Sequence, residues 1–404
     1  MLFRIIPRRK INLQWQDLKV FMHLLFKREL SQGKYTEIFE KAFADYIGTQ
    51  YALAVSSGRI GLRLILESLR LDPGDEIILP AFTFNAVAQA IKDSGLEPIF
   101  VDVHPETYNI DPDLIEKTIS PKTKALIATH IFGAPCDISK IVEIAGRNGL
   151  VVIEDCCQAI GAMFDERKVG TFGYCSFFSF ESIKPFSTFG GGAIVTNDIN
   201  LIKKVKTALA QYPYPPTKSI VKRFIFSIIE YFLTLRFVFA ISVYPVLLLS
   251  SLTEKNLVAL FKKTKSSFKR FETRFSNFQA LIGLSRLPDL EKNNLRRISF
   301  AQLLAGIIKG NLKKQKIVLR SKPIFYSYAI GSTNGQDLSK KLLAHGIDVD
   351  WFSNHDCSGF CMEKERHPVA QQLLKTLSQL PLYHALSRKD IIYIAERLNK
   401  IAEN

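Results

Sequence analysis

Lys184 stands in the run Ser179-Phe180-Glu181-Ser182-Ile183-Lys184, behind an apolar stretch and ahead of Gly190-Gly191-Gly192. Twenty-nine residues upstream, another apolar stretch ends in Glu154-Asp155, with Gln158 just beyond. An amine able to form a Schiff base and an upstream carboxylate able to hold a pyridinium are the two groups that pyridoxal phosphate chemistry needs most. The cofactor's phosphate needs amides and hydroxyls at a helix N-terminus, where the dipole favours an anion. Ser57-Gly58-Arg59, opening an apolar helical pattern, fits that need, and Ser179 offers a further hydroxyl. Asp155 is placed to keep the ring nitrogen protonated, Gln158 to bond the ring's phenolic oxygen, and Phe84 to stack on one ring face. Lys184 would hold the cofactor and then move the proton between substrate and cofactor carbons. Taken singly, each has an ordinary explanation: Asp155 capping a turn, the glycines turning before a strand, Phe84 in the core, Ser57 and Ser179 in loops. The ordered set carries the expectation.

These groups need a scaffold that gathers them. Short, mostly unbroken apolar runs occur at Tyr51–Val55, Glu76–Pro80, Pro98–Val103, Ala125–His130, Leu150–Asp155, Cys175–Phe180 and Ala193–Thr196. Such runs suit strands buried on both faces. Helical patterns lie between several of them, at Ile60–Leu71, Ala86–Ser94, Pro112–Ile119 and Ile138–Asn148. The alternation predicts an α/β fold with a mostly parallel seven-stranded sheet sandwiched by helices. Ligands of such sheets sit at the carboxyl ends of the strands, where Ser57, Phe84, Asp155 and Ser179 fall. Farther on, Glu291–Leu312 reads as a long helix, Ile317–Tyr328 as one or two strands, and Gly335–His345 and Ser387–Ala402 as helices, a pattern for a smaller C-terminal α/β domain. The expected division is residues 1–205, a large cofactor-binding domain; 206–270, an insertion; and 271–404, a linking helix and the small domain.

The 404 residues are 47% apolar, enough for a large core, and carry a net charge of +16. Lys203–Arg223 and Lys255–Arg270 each hold six basic and no acidic residues, so these two clusters supply +12 of the excess. Between them Phe224–Ser251 runs 28 residues with only Glu230 and Arg236 charged. That is long enough to span a bilayer, but one crossing would strand two parts of one enzyme on opposite sides, and both flanks are equally basic. Pro245 also interrupts the run. The pattern favours an interfacial or re-entrant helical hairpin seated on an anionic membrane surface, each nearby basic residue adding about 1 kcal/mol. A buried helical pair or a dimer contact is the alternative. Trp15–Arg28 is expected to be a packed helix of the large domain, with the same membrane surface as its alternative. The basic clusters do not interleave with base-stacking aromatics, which argues against nucleic acid. The six cysteines follow no regular metal spacing and are read as reduced thiols, with zinc a weaker option and no metal site assigned. Met1–Lys10 is basic and no secretory signal follows, so a cytoplasmic enzyme is expected, peripheral on the inner face of a membrane.

Several stretches together resemble the sugar-nucleotide aminotransferases of the DegT/StrS type, within the fold-type-I pyridoxal-phosphate enzymes. They are Ser56-Ser57-Gly58, Pro73-Gly74-Asp75-Glu76, Pro80-Ala81-Phe82-Thr83-Phe84, Val101-Asp102-Val103, His130-Ile131-Phe132-Gly133-Ala134-Pro135, Ile153-Glu154-Asp155-Cys156-Cys157-Gln158-Ala159, Phe178-Ser179-Phe180, Lys184 and Gly191-Gly192-Ala193, resuming at Arg274–Leu287. The resemblance implies a homodimer with active sites at its interface. It also implies transfer of an amino group, usually from glutamate, to a keto group on a nucleotide-linked deoxysugar, for surface polysaccharide or glycolipid synthesis. Members with histidine in place of the lysine are dehydratases, and Lys184 argues against that branch. Three positions depart from the pattern: Arg59 where threonine is common, Glu272 where an asparagine often reaches the phosphate across the dimer, and Pro185 where asparagine is usual. Two alternatives stay open: a lipid-linked or other membrane-associated substrate, and a non-catalytic regulator or scaffold.

Overall fold

The computed structural model describes residues 4–252, 272–309, 312–350, 355, 357 and 367–403. The basic cluster Lys255–Arg270 and Cys361 lie outside the described residues. Helices α1 (Trp15–Phe26) and α2 (Tyr35–Ile47) lead into β1 (Tyr51–Val55), α3 (Gly58–Leu69), β2 (Glu76–Pro80), α4 (Asn85–Asp93), β3 (Glu97–Val101), α5 (Pro112–Ile115) and β4 (Thr123–Thr129). Then come α6 (Ile138–Arg147), β5 (Val151–Asp155), β6 (Met163–Phe164), β7 (Arg167–Lys168), β8 (Cys175–Ser179), β9 (Gly192–Thr196) and α7 (Ile199–Ala210). The insertion forms α8 (Thr217–Leu233), α9 (Arg236–Ile241) and α10 (Val243–Leu252). The remainder holds α11 (Asn277–Arg286), α12 (Leu290–Ile307), β10 (Lys313–Lys314), β11 (Ser321–Lys322), β12 (Tyr328–Gly331), α13 (Gly335–Ala344), α14 (Pro368–Thr376), β13 (Leu377–Leu380) and α15 (Arg388–Glu403).

Seven strands form the main sheet in the order β1-β9-β8-β5-β4-β2-β3. Neighbours from β8 to β3 run parallel, while β9 runs antiparallel to both β1 and β8. Apolar side chains serve both faces because successive residues point to opposite sides. Ile127, Ile153, Phe177 and Ile194 pack with Leu62, Ile65 and Ile91 from α3 and α4, and with Val205 of α7. Leu126, Ala128 and Val152 face the other way, onto Ile141 and Ile144 of α6. At the β1 end of that second face, Phe178, Ala193 and Val195 meet Phe39 and Phe43 of α2 and Ala280 of α11.

A second sheet, β10-β12-β13, packs on α12, α13 and α15 through Ile330, Leu380, Leu304, Leu342, Ile394 and Leu398. The expected strands over Ile317–Tyr328 are displaced. Only the two-residue β11 lies inside that range, paired with β6, and the longer strand starts at Tyr328. The chain's beginning joins this second sheet's neighbourhood. Ile6 bridges Ile347, its N–H donating to Gly346 O at 2.8 Å, and Arg8 pairs with Asp348 at 3.0 Å.

No described helix is long and apolar enough to cross a membrane. The described part of the insertion, up to Leu252, instead packs on the body. Pro245 falls in the first turn of α10, where its missing N–H costs nothing. Ile220 and Phe224 pack with Val20, Phe21 and Leu24 of α1 and with Phe278, the Phe21 and Phe224 rings stacking at 4.5 Å. Arg236 donates to Asp390 at 2.8 Å, and the Tyr244 hydroxyl to Leu343 O at 3.0 Å. The outer side of the same helices exposes Ile225, Ile229, Phe232, Phe237, Ile241 and Leu249, and α1 exposes Trp15 and Phe26.

Candidate active site

The strand edge gathers what the chain separates. Val55, Asp155 and Ser179 are the last residues of β1, β5 and β8, which share one direction, so all three reach the same edge. Antiparallel β9 begins there: Gly192 pairs with both Val55 and Ser179, and Gly191 bridges Ser57. A Cβ on Gly192 would lie 2.3 Å from Phe178 O and 2.7 Å from Gly58 N, so only glycine admits this approach. Ser57 caps α3, its Oγ accepting the Ile60 N–H at 3.2 Å, and Gly58 and Arg59 form the first turn. Next to it the buried Ser56 hydroxyl has no hydrogen-bond partner. A helix N-terminus with two serines, held against Gly191 and Ser179, is a cradle for an anion.

Asp155 is 5% exposed and accepts the Cys157 N–H at 3.0 Å. Burial raises its pKa, while hydrogen bonding from Cys157 and the charge of Lys184 pull the other way. Its neighbour Glu154 is buried among four donors: the N–H groups of Gly170, Phe172 and Gly173, each at 2.8 Å, and His130 Nε2 at 3.1 Å. Burial would raise the Glu154 carboxyl, but His130 and these N–H groups win and hold it low. Burial likewise disfavours protonated His130, yet Cys136, Cys156 and Glu154 together lift it well above the usual imidazole range. His130, Glu154 and Cys156 have donor atoms close enough for a metal ion, but the two Glu154 oxygens are already taken by N–H groups, which fits a structural pair instead. The five described cysteines are free thiols.

Lys184 lies in the turn after β8, its N–H bonded to Glu181 O at 2.9 Å, and its Nζ sits 4.7 Å from the centre of the Tyr326 ring. Gln158 uses its Oε1 to accept the Phe132 N–H at 2.9 Å, leaving its amide N–H groups for another acceptor. Phe132 takes a left-handed backbone (φ 57°), and its carbonyl accepts the Tyr326 N–H at 2.8 Å. Gln158 and Tyr326 are therefore fixed through one strained turn. Phe84 caps α4 and is 42% exposed, its ring 6.4 Å from that of His355. Glu272 forms an ion pair with Arg63 of α3 in the same chain.

Lys184 and Pro185 line a cavity of about 90 Å³ with Arg8, Arg9, Arg297 and Tyr326. A wider, more open depression beside Asp165, Arg167 and Arg320 holds none of this set. Sequence reasoning passed over Tyr326, Arg297 and the Arg8–Lys10 segment. Each comes from a part of the chain with no strand-end or motif signal, and only the tertiary fold brings them to Lys184.

The donor set fits pyridoxal phosphate: a buried carboxyl at the end of β5, an amine in the turn after the neighbouring strand, and serine hydroxyls at a helix N-terminus. Comparisons with known proteins agree. The DegT/DnrJ/EryC1/StrS aminotransferase family pattern matches residues 13–224 and 245–399, passing over 225–244 within the insertion. The GDP-perosamine synthase of Escherichia coli O157:H7 is 31% identical over 379 residues, 92% of this chain and 91% of that one. The dTDP-3-amino-3,6-dideoxy-alpha-D-galactopyranose transaminase of Aneurinibacillus thermoaerophilus is 27% identical over 404 residues, 97% of each chain. Among solved structures, S. venezuelae DesV in complex with a ketimine intermediate superposes with a TM-score of 0.77 at 25% identity, covering 96% of this chain and 95% of that one. The chain belongs to the DegT/DnrJ/EryC1/StrS aminotransferase family and is a pyridoxal-phosphate-dependent aminotransferase.

Proposed function

We propose that the protein transfers an amino group from an amino acid, glutamate by preference, to a keto group of a nucleotide-linked deoxysugar destined for surface polysaccharide or glycolipid. The observation that supports this reading is the buried Asp155 at the end of β5, beside β8, whose following turn carries Lys184. Relatives named for amino sugars carried on GDP and dTDP support a nucleotide-linked acceptor.

Pyridoxal phosphate, when bound, supplies an electron sink for the carbon that gains or loses the amine. The protein's part is positional and protonic. Lys184 would hold the group through Nζ and would carry a proton at that atom. Asp155 keeps the ring nitrogen protonated, since an opposite charge offsets the cost of its burial. Ser57, Gly58 and Ser179 hold the phosphate, and Arg59 adds a guanidinium in the first turn of α3. The Gln158 amide would donate to the phenolic oxygen, and Phe84 would stack on the ring. Residues 1–205 and 271–404 act as cofactor-binding and small domains around this cleft, with 206–270 inserted between them. Two copies pair as a homodimer with a site at each interface. The enzyme sits on the inner, anionic face of a membrane through the outer side of α8–α10, whose apolar residues lie beside the basic Lys203–Arg223 cluster.

The test is a spectral titration of the purified enzyme with glutamate and a panel of nucleotide keto sugars. Lys184→Ala is expected to remove the lysine-dependent visible absorbance and all amino transfer while leaving the far-ultraviolet circular dichroism intact. An unchanged spectrum in that variant overturns the role of the lysine.

A further inference from the structure

Among the described residues, Arg297 is a buried cation without an anion. It lies on α12, one turn past Asn294, whose amide donates to Ile160 O at 3.0 Å and pins the helix behind β5. The residue is 4% exposed, and its Nε and Nη1 have no hydrogen-bond partner among the described residues. No ion pair or hydrogen bond of any kind engages it among the described residues. Ser327 Oγ, in the same cavity wall, is also buried without a partner. Leaving a guanidinium desolvated and unpaired costs several kcal/mol, so such a group in a native fold calls for an explanation. Burial pushes its pKa down to about 10, which still leaves it charged at neutral pH.

The cavity it faces is the one Lys184 lines, and its other charges leave an excess of the same sign. Arg8, Arg9, Lys10, Lys184 and Arg297 contribute to the wall against a single carboxylate, Asp350. That carboxylate is engaged by Arg8 at 2.9 Å. His384, beside them, is held neutral: burial and the charges of Arg297 and Lys10 lower its pKa to about 4. The volume of about 90 Å³ compares with roughly 10–15 Å³ needed per water by the same measure. It admits a ligand of a few waters' bulk and excludes a nucleotide.

We propose that Arg297 and Ser327 form the subsite for the carboxylate of the amino-acid donor, with Arg9 and Lys10 at the rim meeting the second carboxylate of a dicarboxylic donor. The inference rests on the amino-transfer reading and adds where the donor binds. A guanidinium meets a carboxylate through two parallel N–H groups, so the pairing fixes the donor's orientation as well as its charge. The donor's amine is then held on the Lys184 side of the cavity.

The two halves of the reaction separate the possible anions. In the donor half, glutamate is titrated into the cofactor-loaded enzyme and conversion is followed by absorbance. In the acceptor half, the aminated enzyme is given a nucleotide keto sugar. Glutarate, which cannot react, is titrated calorimetrically into wild-type holoenzyme. Arg297→Gln is expected to raise the donor KM and the glutarate Kd by about 10- to 100-fold, the usual cost of a charged hydrogen-bonded partner, with the acceptor half unchanged. Arg297→Lys, which keeps the charge and the fold but loses the fork, is expected to fall between. Failure of wild-type holoenzyme to bind glutarate overturns the subsite. So does an effect of Arg297→Lys confined to the acceptor half, which would assign the cation to the sugar nucleotide's diphosphate. If wild-type enzyme takes up the amino group from glutamate yet passes it to no nucleotide sugar, the acceptor assignment fails and the subsite stands.

Discussion

Asp155 and Glu154 are adjacent acids with opposite surroundings. Asp155 accepts one backbone N–H, which leaves it able to take on a new cationic partner. Asp155→Asn removes that charge at nearly constant shape. The cofactor's affinity should drop by about 10- to 100-fold, the equivalent of roughly 1.5–3 kcal/mol, read by titrating apoenzyme with pyridoxal phosphate. Wild-type affinity in that variant would refute the pyridinium pairing. Glu154, by contrast, fills both oxygens with donors and ties β5 to the 170–173 turn and to His130. In Glu154→Gln an amide N–H group would confront N–H donors, so urea unfolding should show a loss of about 2–4 kcal/mol. Asp155 was legible from its place at the end of an apolar run. The anchoring role of Glu154 was not, because its partners come from a turn and from β4's end, which no local pattern connects to it.

At the level of elements, seven apolar runs became the seven strands of the main sheet, two with identical limits and the rest with limits shifted by at most two residues. Strands buried on both faces announce themselves by unbroken apolar runs. The two-residue β6, β7, β10 and β11 have no periodicity to read, and Leu377–Leu380 follows α14 without a breaker, so its strand was missed. A buried ion pair adds to the apolar packing of α1. Arg286 of α11 reaches Asp17 at 2.6 Å, Asn12 O at 2.7 Å and Ser187 O at 2.5 Å, with both charged side chains almost fully buried. Arg286→Met strands Asp17 without its partner and should cost about 3–5 kcal/mol, measured by thermal or urea unfolding. A smaller loss would show that water reaches Asp17. Glu40 of α2 accepts the Ala54 N–H at 2.9 Å, and burial raises its pKa to about 7 from 4.5, outweighing that bond and Lys206. The folded protein thus holds this proton more tightly than the unfolded chain. Its contribution to stability is present below about 4.5 and is lost as pH rises to about 7. Glu40→Gln should therefore gain on wild type in melting temperature between pH 5 and pH 8. A difference independent of pH would count against this.

For the whole molecule, the insertion is the main departure from the family pattern. The sequence signalled its apolarity but not its shape. Phe224, Phe239 and Tyr244 turn inward while Phe237, 76% exposed, and Ile241 turn out, and that division depends on α1 and α13 as partners. Basic residues beside an exposed apolar face suit an anionic bilayer. Phe237→Glu with Ile241→Glu should cut co-sedimentation with phosphatidylglycerol vesicles by at least several-fold and leave turnover on a soluble substrate unchanged. Equal sedimentation of both proteins, or none by wild type, would dismiss the membrane seat. Arg223, at the inner end of this region, also stands 3.8 Å from Glu181, in the turn that carries Lys184.

Residues 6–14 run from the Ile6–Ile347 bridge, past the cavity, to the start of α1. A late translational start or a protease that trims this leader would spare every strand of the main sheet, yet would strip Arg8, Arg9 and Lys10 from the pocket wall. Affinity handles for purification therefore belong at the other terminus, and a shortened preparation that folds well but works poorly should be sequenced at its amino end first.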